Sequence, residues 1–540
     1  MRRPFPVLLL VLLLFIARSD GRAQDPIDLS IVPVDLPGLA GLQSFAVAQD
    51  GDDWLLFGGR LDGLHRRQPW ASFDLAGHND LFYVVNIDSQ TVETADMTAL
   101  PVSVREQLRS TNMQFHQRGD VLYVLGGYGY SETAGDHITF PNITAIDVPG
   151  LIQAIRSGSP LAPHVRQQTD ARFAVTGGYL QSIDGTFHLV GGHRFDGRYN
   201  PMGGPSHTQT YTNALARFGI DDDGTTLTIT DYGQTIDAAA FHRRDYNVAP
   251  RILPDGSQGL VAYSGVFQQT EDLPFLDCVL IDDTSHAIHP TFEQYYNHYH
   301  CAHLAMYSDE TQRMHTIFFG GIAQYVDSAG IRVRDDDVPF VRTIARVTIH
   351  PDGSMEEIVL PVEMPGLLGA GSEFIPRTDA PVLASDVIDL DALPTGDSVL
   401  VGHVFGGIHS SAANIFWVND GTQSEASDVL YEVWLKRTGE SVDTMGLRGA
   451  GSDAPGLQLL PNPSTEAIGL RIRVPRNTPY HVRVRDVAGR EVLHHDALSM
   501  APTGTWSRVM LPGSEGLPAG TYYVELEAGD AATVQRFVRR

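Results

Sequence analysis

A chain of 540 residues with a formal net charge of -27 and a pI near 5.0 repels polyanions, which argues against nucleic acid and anionic membrane surfaces as partners. Its 53 glycines and 32 prolines, with only 19% charged residues, describe a loop-rich all-β protein of two or three domains and exclude a helical one.

The first 23 residues read as a secretory signal. Arg2 and Arg3 form a basic start, Val7 to Ile16 is an unbroken apolar run, and small residues up to Ala23 offer a cleavage site. The run is too short to span a bilayer comfortably, and no later segment qualifies as transmembrane, so the mature chain has no membrane span. Ile27 to Pro37 then alternates like a strand ahead of the first complete repeat. It is expected to complete the last repeat and so close the two ends of the domain on each other, which removes an exposed sheet edge.

The repeat itself is an apolar run closed by two glycines. It occurs as WLLFGG ending at Gly59, VLYVLGG at Gly127, FHLVGG at Gly192, LVAYSG at Gly265, HTIFFGG at Gly321 and LVGHVFGG at Gly407. The intervals run from 56 to 86 residues, a span that a four-stranded antiparallel sheet with loops fills. Glycine at the end of each run serves a sharp turn with another backbone passing close by. An inner strand is expected before each pair: QSFAV from Gln43, TNMQF from Thr111, ARFAV from Ala171, RDYNV from Arg244, HCAHL from His300 and TDAPV from Thr378. Later strands follow, such as NDLFYVVNID from Asn79 and DVLYEVWL from Asp428. These features over about Ile27 to Arg437 resemble Kelch-type β-propellers, including the galactose-oxidase-like group. The resemblance implies an all-β domain over 24–437 with six blades, or seven if the long last interval hides a degenerate unit.

In a propeller the inner strands line the axis, so their polar residues are the binding candidates. Flanking the aligned apolar positions are Ser44, Asn112, Gln114, Arg172, Asp245, Asn247, Cys301, His303 and Asp379. Arg172, Arg244, Asp245 and Arg377 together have the chemistry to hold an anionic or sugar ligand by bidentate hydrogen bonds, or to pair with each other in a wet channel. His298 and His300 share a face if their segment is a strand, but no third ligand is placed by spacing, and neither metal nor cofactor is expected. The candidate ligand set is Asn112, Arg172, Arg244, Asp245, His300 and Arg377, with no catalytic residue assigned. Cys278 and Cys301, the only cysteines, form either a disulfide, as export favours, or two buried thiols. No nucleophile elbow, phosphate loop or zinc-protease motif occurs.

Residues 438–456 have the small, polar composition of a linker. From Leu457 the pattern changes to short alternating strands of a small sandwich, and the balance turns basic, with ten arginines against eight acidic residues. Pro461-Asn462-Pro463, Asp486 with Gly489-Arg490, LPAGTYY with Gly520 and Tyr522, and the closing RFVRR make 457–540 closely similar to the type IX secretion sorting domains of Bacteroidota. That resemblance implies passage through the outer membrane, the type IX machinery as a partner, and a secreted or surface destination. The expected function is a noncatalytic propeller that binds a glycan or a surface protein; a secreted carbohydrate-active enzyme is the alternative.

Overall fold

The computed structural model describes residues 27–203, 206–328, 330–438, 456–460, 469–473, 480–486, 490–496, 507–528 and 531–539. The expected signal segment, nearly all of the linker, Pro461, Asn462, Pro463 and Gly489 lie outside them. The chain forms two compact units, Met1–Ser441 and Val442–Arg540. No helix among the described residues is long and apolar enough to cross a membrane.

The first unit is a β-propeller. Among the described residues of this unit six sheets each contain four antiparallel strands in a row, the fifth extended by Ile388–Asp389, which pairs parallel with His303–Ser308; the first runs through Ala46–Asp50, Asp53–Phe57, Leu81–Asn86 and Thr91–Asp96 in sequence order. The second strand of each blade is the apolar run of the repeat. Its residues are buried without alternation, as in Leu122 to Leu125, because neighbouring blades cover both faces of the sheet. Between the first and second blades an additional helix, Val148–Ser157, fills the core with Leu151, Ile152 and Ile155. Asp147 caps it by accepting from Gly150 N at 3.2 Å, and Gly158 ends it in the left-handed conformation.

Closure occurs as expected. Ile27–Val34 pairs antiparallel with Leu430–Arg437, from Ile27 opposite Arg437 to Val34 opposite Leu430, so the N-terminal strand is the outermost strand of the last blade. A second closure runs around the axis. Ser44, Asn112, Gly177, Asp245, His300 and Gly371, one residue per blade, are joined in a ring of main-chain hydrogen bonds. Each N–H donates to the carbonyl of the preceding member, at 2.8–3.3 Å, and Ser44 N completes the circuit on Gly371 O. All of them except His300 sit at left-handed φ.

The glycine pairs bind blade to blade. The N–H of the second glycine donates to the lead-in of the next inner strand in five junctions: Gly59 to Ser110 O, Gly127 to Val175 O, Gly192 to Arg243 O, Gly321 to Leu368 O and Gly407 to Leu42 O, all at 2.8–3.0 Å. The first glycine brings the backbones together. A Cβ at Gly126 would stand 1.8 Å from Val175 O, and one at Gly320 would stand 1.9 Å from Leu368 O.

In the first, second, fourth and fifth blades the inner strands start three residues later than expected, at Ala46, Gln114, Asn247 and His303, and in the other two they are displaced altogether. In the third blade the strand is Tyr179–Ile183, and Ala171–Phe173 is a short 3-10 turn because Asp170 accepts from Arg172 N at 3.0 Å. In the sixth blade the strand is Leu367–Pro376, and Asp379 lies in the loop that follows. The cysteines are free and buried, in one core cluster between the fourth and fifth blades but turned to different neighbours. Cys278 Sγ contacts Met355 Sδ at 3.7 Å, and Cys301 Sγ accepts from Asn247 Nδ2 at 3.6 Å.

Among the described residues the second unit holds two sheets, one of three strands and one of four. They share a core of Leu457, Leu470, Ile472, Val482, Val484, Val524, Leu526 and Phe537, a small sandwich. Asp486 closes the hairpin of the Asp-x-x-Gly-Arg motif by accepting from Arg490 N at 3.0 Å and Arg490 Nε at 2.7 Å. Tyr522 buries its ring and donates from its hydroxyl to Pro518 O at 2.8 Å.

Candidate functional site

The ring divides the axis into two cavities. Ser44, Asn112, Asp245 and His300 line both. On the side of the glycine pairs is a mouth of about 580 Å³; on the other side, between the inner strands, is a narrower channel of about 210 Å³.

The mouth is built in layers above the ring. The residue before each ring member, in order Gln43, Thr111, Thr176, Arg244, Tyr299 and Ala370, faces it. These residues pair with those that follow the glycine pairs, as Gln43 with Arg60, Thr111 with Tyr128, Thr176 with His193, and Arg244 with Val266. Arg60, Tyr128, His193, Ile322 and Ile408, together with Phe267, therefore line the same cavity. Longer connections beyond them supply His65, Phe73, Tyr199 and the rim residue Trp417.

The charges on the floor are compensated. Arg244 Nη1 donates to Asp245 Oδ2, its Nε donates to Tyr211 Oη at 3.3 Å, and Phe267 lies under its guanidinium at 5.2 Å. Burial works against the Arg244 charge, but Asp245, with Tyr211 and Tyr299, outweighs it and holds the group more firmly protonated than usual. Arg60 is likewise committed, with Nε and Nη2 on the two oxygens of Asp62 at 2.6 Å each. Two imidazoles on the wall of the mouth, His65 and His193, are neutral at neutral pH. Burial lowers His65 to about 4 and drives His193 well below its ordinary value, and Gln209 Nε2 donates to His193 Nδ1 at 2.7 Å. Burial also raises the hydroxyls of Tyr128, Tyr199 and Tyr299, so they stay protonated.

Below the ring, His300 Nε2 stands 3.0 Å from Glu373 Oε1, an ion-pair distance without hydrogen-bond alignment. Burial tends to lower the His300 imidazole, but Glu373, helped by Asp245, raises it above the ordinary histidine value. Gln114 and His303 line the lower channel with them.

The residues singled out from the sequence therefore separate. Asn112, Arg244, Asp245 and His300 converge at the axis. Arg172 does not join them: it pairs with Asp170 and lies 4.3 Å over Tyr232, on the outermost strand of the third blade. Arg377 sits beyond the far end of the sixth inner strand, paired with Asp379 at 2.7 Å and Asp88 at 2.9 Å. Asn247 is a bracket between blades, donating to Tyr299 O and accepting from Cys301 N. His298 shares no strand face with His300; it is buried, bonded through Nε2 to Gln294 O and accepting at Nδ1 from Gln324 N. The aromatic wall and Glu373 were not found by sequence reasoning. The position after each glycine pair is the signal that locates much of that wall.

Fold and tail together define a β-propeller carried by an export module. Residues 458–540 match the secretion system C-terminal sorting domain. The chain is thus exported through the type IX system to the cell surface or the extracellular space, and it engages that machinery. No curated protein matches the chain. Among solved structures it is similar to YjhT, at 12% identity over 73% of this chain and 96% of that one, with a TM-score of 0.41. It is also similar to a fungal alcohol oxidase of the AA5 family in complex with copper, at 9% identity over 95% and 100%, with a TM-score of 0.38. His300 turns to Glu373, His193 is bonded to Gln209, and among the described residues no three His, Cys, Asp or Glu side chains converge to hold a metal.

Proposed function

We propose that the propeller is a noncatalytic binding protein, presented outside the cell, that takes a glycan in its mouth. One observation carries the reading: a cavity of about 580 Å³ whose floor offers paired donors and acceptors in Arg244 and Asp245, and whose walls are aromatic. That volume falls within the roughly 300–1,000 Å³ of small-molecule sites. Sugars present apolar C–H faces beside hydroxyls that both donate and accept, and aromatic walls over a compensated ion pair match both features.

The titration state supports binding over catalysis. Low-pKa His65 and His193 and firmly protonated tyrosines leave the wall of the mouth without a general acid or base poised near neutral pH, and His300, the imidazole held above its ordinary value, is committed to Glu373 on the channel side of the ring. A glycan array probed with the full chain tests the reading, followed by turnover assays on the hits. Arg244→Ala is expected to lose binding by roughly tenfold or more, while Arg172→Ala and Arg377→Ala bind like the parent. An array without hits overturns the glycan reading, and turnover of a hit overturns the noncatalytic one.

A further inference from the structure

Trp417 is 64% exposed at the rim of the mouth, an unusual place for the largest apolar side chain. It is nevertheless fixed. Arg67 lies over the indole at 4.5 Å. The loop that carries it is tied to the first blade: Asn419 Nδ2 donates to Leu64 O at 2.7 Å and His65 O at 3.0 Å, and Arg67 N donates to Asn419 O at 2.9 Å. An exposed ring whose orientation is set in advance loses little conformational freedom when a flat ligand face stacks on it.

The surrounding charge narrows the ligand. Arg244 and Arg60 already have carboxylate partners, and Arg67, which also lines the cavity, lies over the Trp417 indole at the rim, so an acidic sugar gains no free cation at the floor. Asp272 and Asp337, exposed on the wall of the fourth and fifth blades, repel one. Trp417 stands at the rim of this cavity of about 580 Å³, while Arg244 and Asp245 stand at its floor.

Building on the glycan-binding reading, we infer that the mouth has two subsites for a neutral oligosaccharide. One sugar unit is hydrogen-bonded at Arg244 and Asp245, and a further unit is stacked on Trp417. The shortest ligand that uses the whole site is then at least a disaccharide, and Trp417 determines the preference for chain length.

The test titrates the full chain, by calorimetry and tryptophan fluorescence, with malto-, cello-, xylo- and galacto-oligosaccharides of one to six units, and with oligogalacturonates as the acidic arm. For the neutral series that binds, affinity is expected to rise roughly tenfold or more between one unit and the length that reaches the rim. Trp417→Ala is expected to abolish that rise, Trp417→Phe to retain some of it, and circular dichroism to report an intact fold. Equal affinity of Trp417→Ala and parent for the longer chains overturns the inference, and so does tighter binding of oligogalacturonate than of any neutral series. If no saccharide binds the parent, the glycan reading itself falls.

Discussion

Gly126→Ala isolates what the glycine pairs do. The residue sits at a φ of +61, and a Cβ there would stand 1.8 Å from Val175 O and 2.9 Å from Phe173 O of the next blade. Gly51 has nearly the same φ, +59, with nothing within 4 Å of the equivalent point. Both alanines bear the left-handed backbone cost of roughly 1–2 kcal/mol. Only Gly126→Ala must also push neighbouring backbones apart, moving the carbonyl that accepts the Gly127 N–H at 3.0 Å. Overpacking of this kind costs about 1–3 kcal/mol, and a strained buried hydrogen bond adds about 1 kcal/mol. The two variants should therefore differ by about 2–4 kcal/mol. Urea denaturation of the full chain, compared by the midpoint of the propeller transition, reads the difference. Gly320→Ala, facing Leu368 O at 1.9 Å, should behave like Gly126→Ala. Equal midpoints for Gly126→Ala and Gly51→Ala would refute the claim that blade contact, beyond backbone conformation, requires the first glycine.

The His300–Glu373 pair makes a prediction about pH. Because the folded His300 pKa is raised, the pair's contribution is fully present below the unfolded value of about 6.5 and is lost as pH rises through the folded value. Glu373→Gln leaves the burial and removes the main opposing charge, so the His300 titration followed by NMR should move down and the corresponding pH dependence of stability should flatten; an unmoved titration would show that Glu373 does not hold the proton. The two thiols make another. Burial raises Cys278 and Cys301 to about 12, so neither should react with a thiol reagent in the native protein at neutral pH, and both should react once it is unfolded without reductant. Absence of reaction after unfolding would reveal a bridge.

The repeat was legible because one residue type at one place has a single physical cause. Each glycine pair marks where two backbones nearly touch, and no other residue substitutes freely there. Even the exception is instructive: Ser264 replaces the first glycine in the fourth blade, adopts a φ of +53, and spends its hydroxyl on Phe275 O at 2.6 Å. Inner strands were less legible. Phe173 matched the apolar position of the third unit but belongs to a capped turn, and the true ring member, Gly177, carries no side chain to recognise. In the sixth unit the ring member is again a glycine, Gly371, and the offset moved the assignment to Asp379. Those two slips brought Arg172 and Arg377 into the candidate set. At Ser44, Asn112 and Asp245 the residue before the aligned apolar position is the ring member, whereas in the fifth unit the alignment on Ala302 pointed to Cys301, one residue past the ring member His300.

That the ring is made from main-chain atoms separates stability from recognition. Its six links require an N–H and a carbonyl at each position, and the side chains there are as different as serine, histidine and none at all. The layer above, from Gln43 to Ala370 and from Arg60 to Ile408, varies equally while its backbone bridges persist. On the proposed glycan-binding reading, ligand choice can thus change through substitutions in that layer without loosening the closure beneath it. The converse also holds: the carbonyl contacts at Gly126 and Gly320 lie between blades, outside the residues that line the mouth, so damage there would disturb stability before specificity.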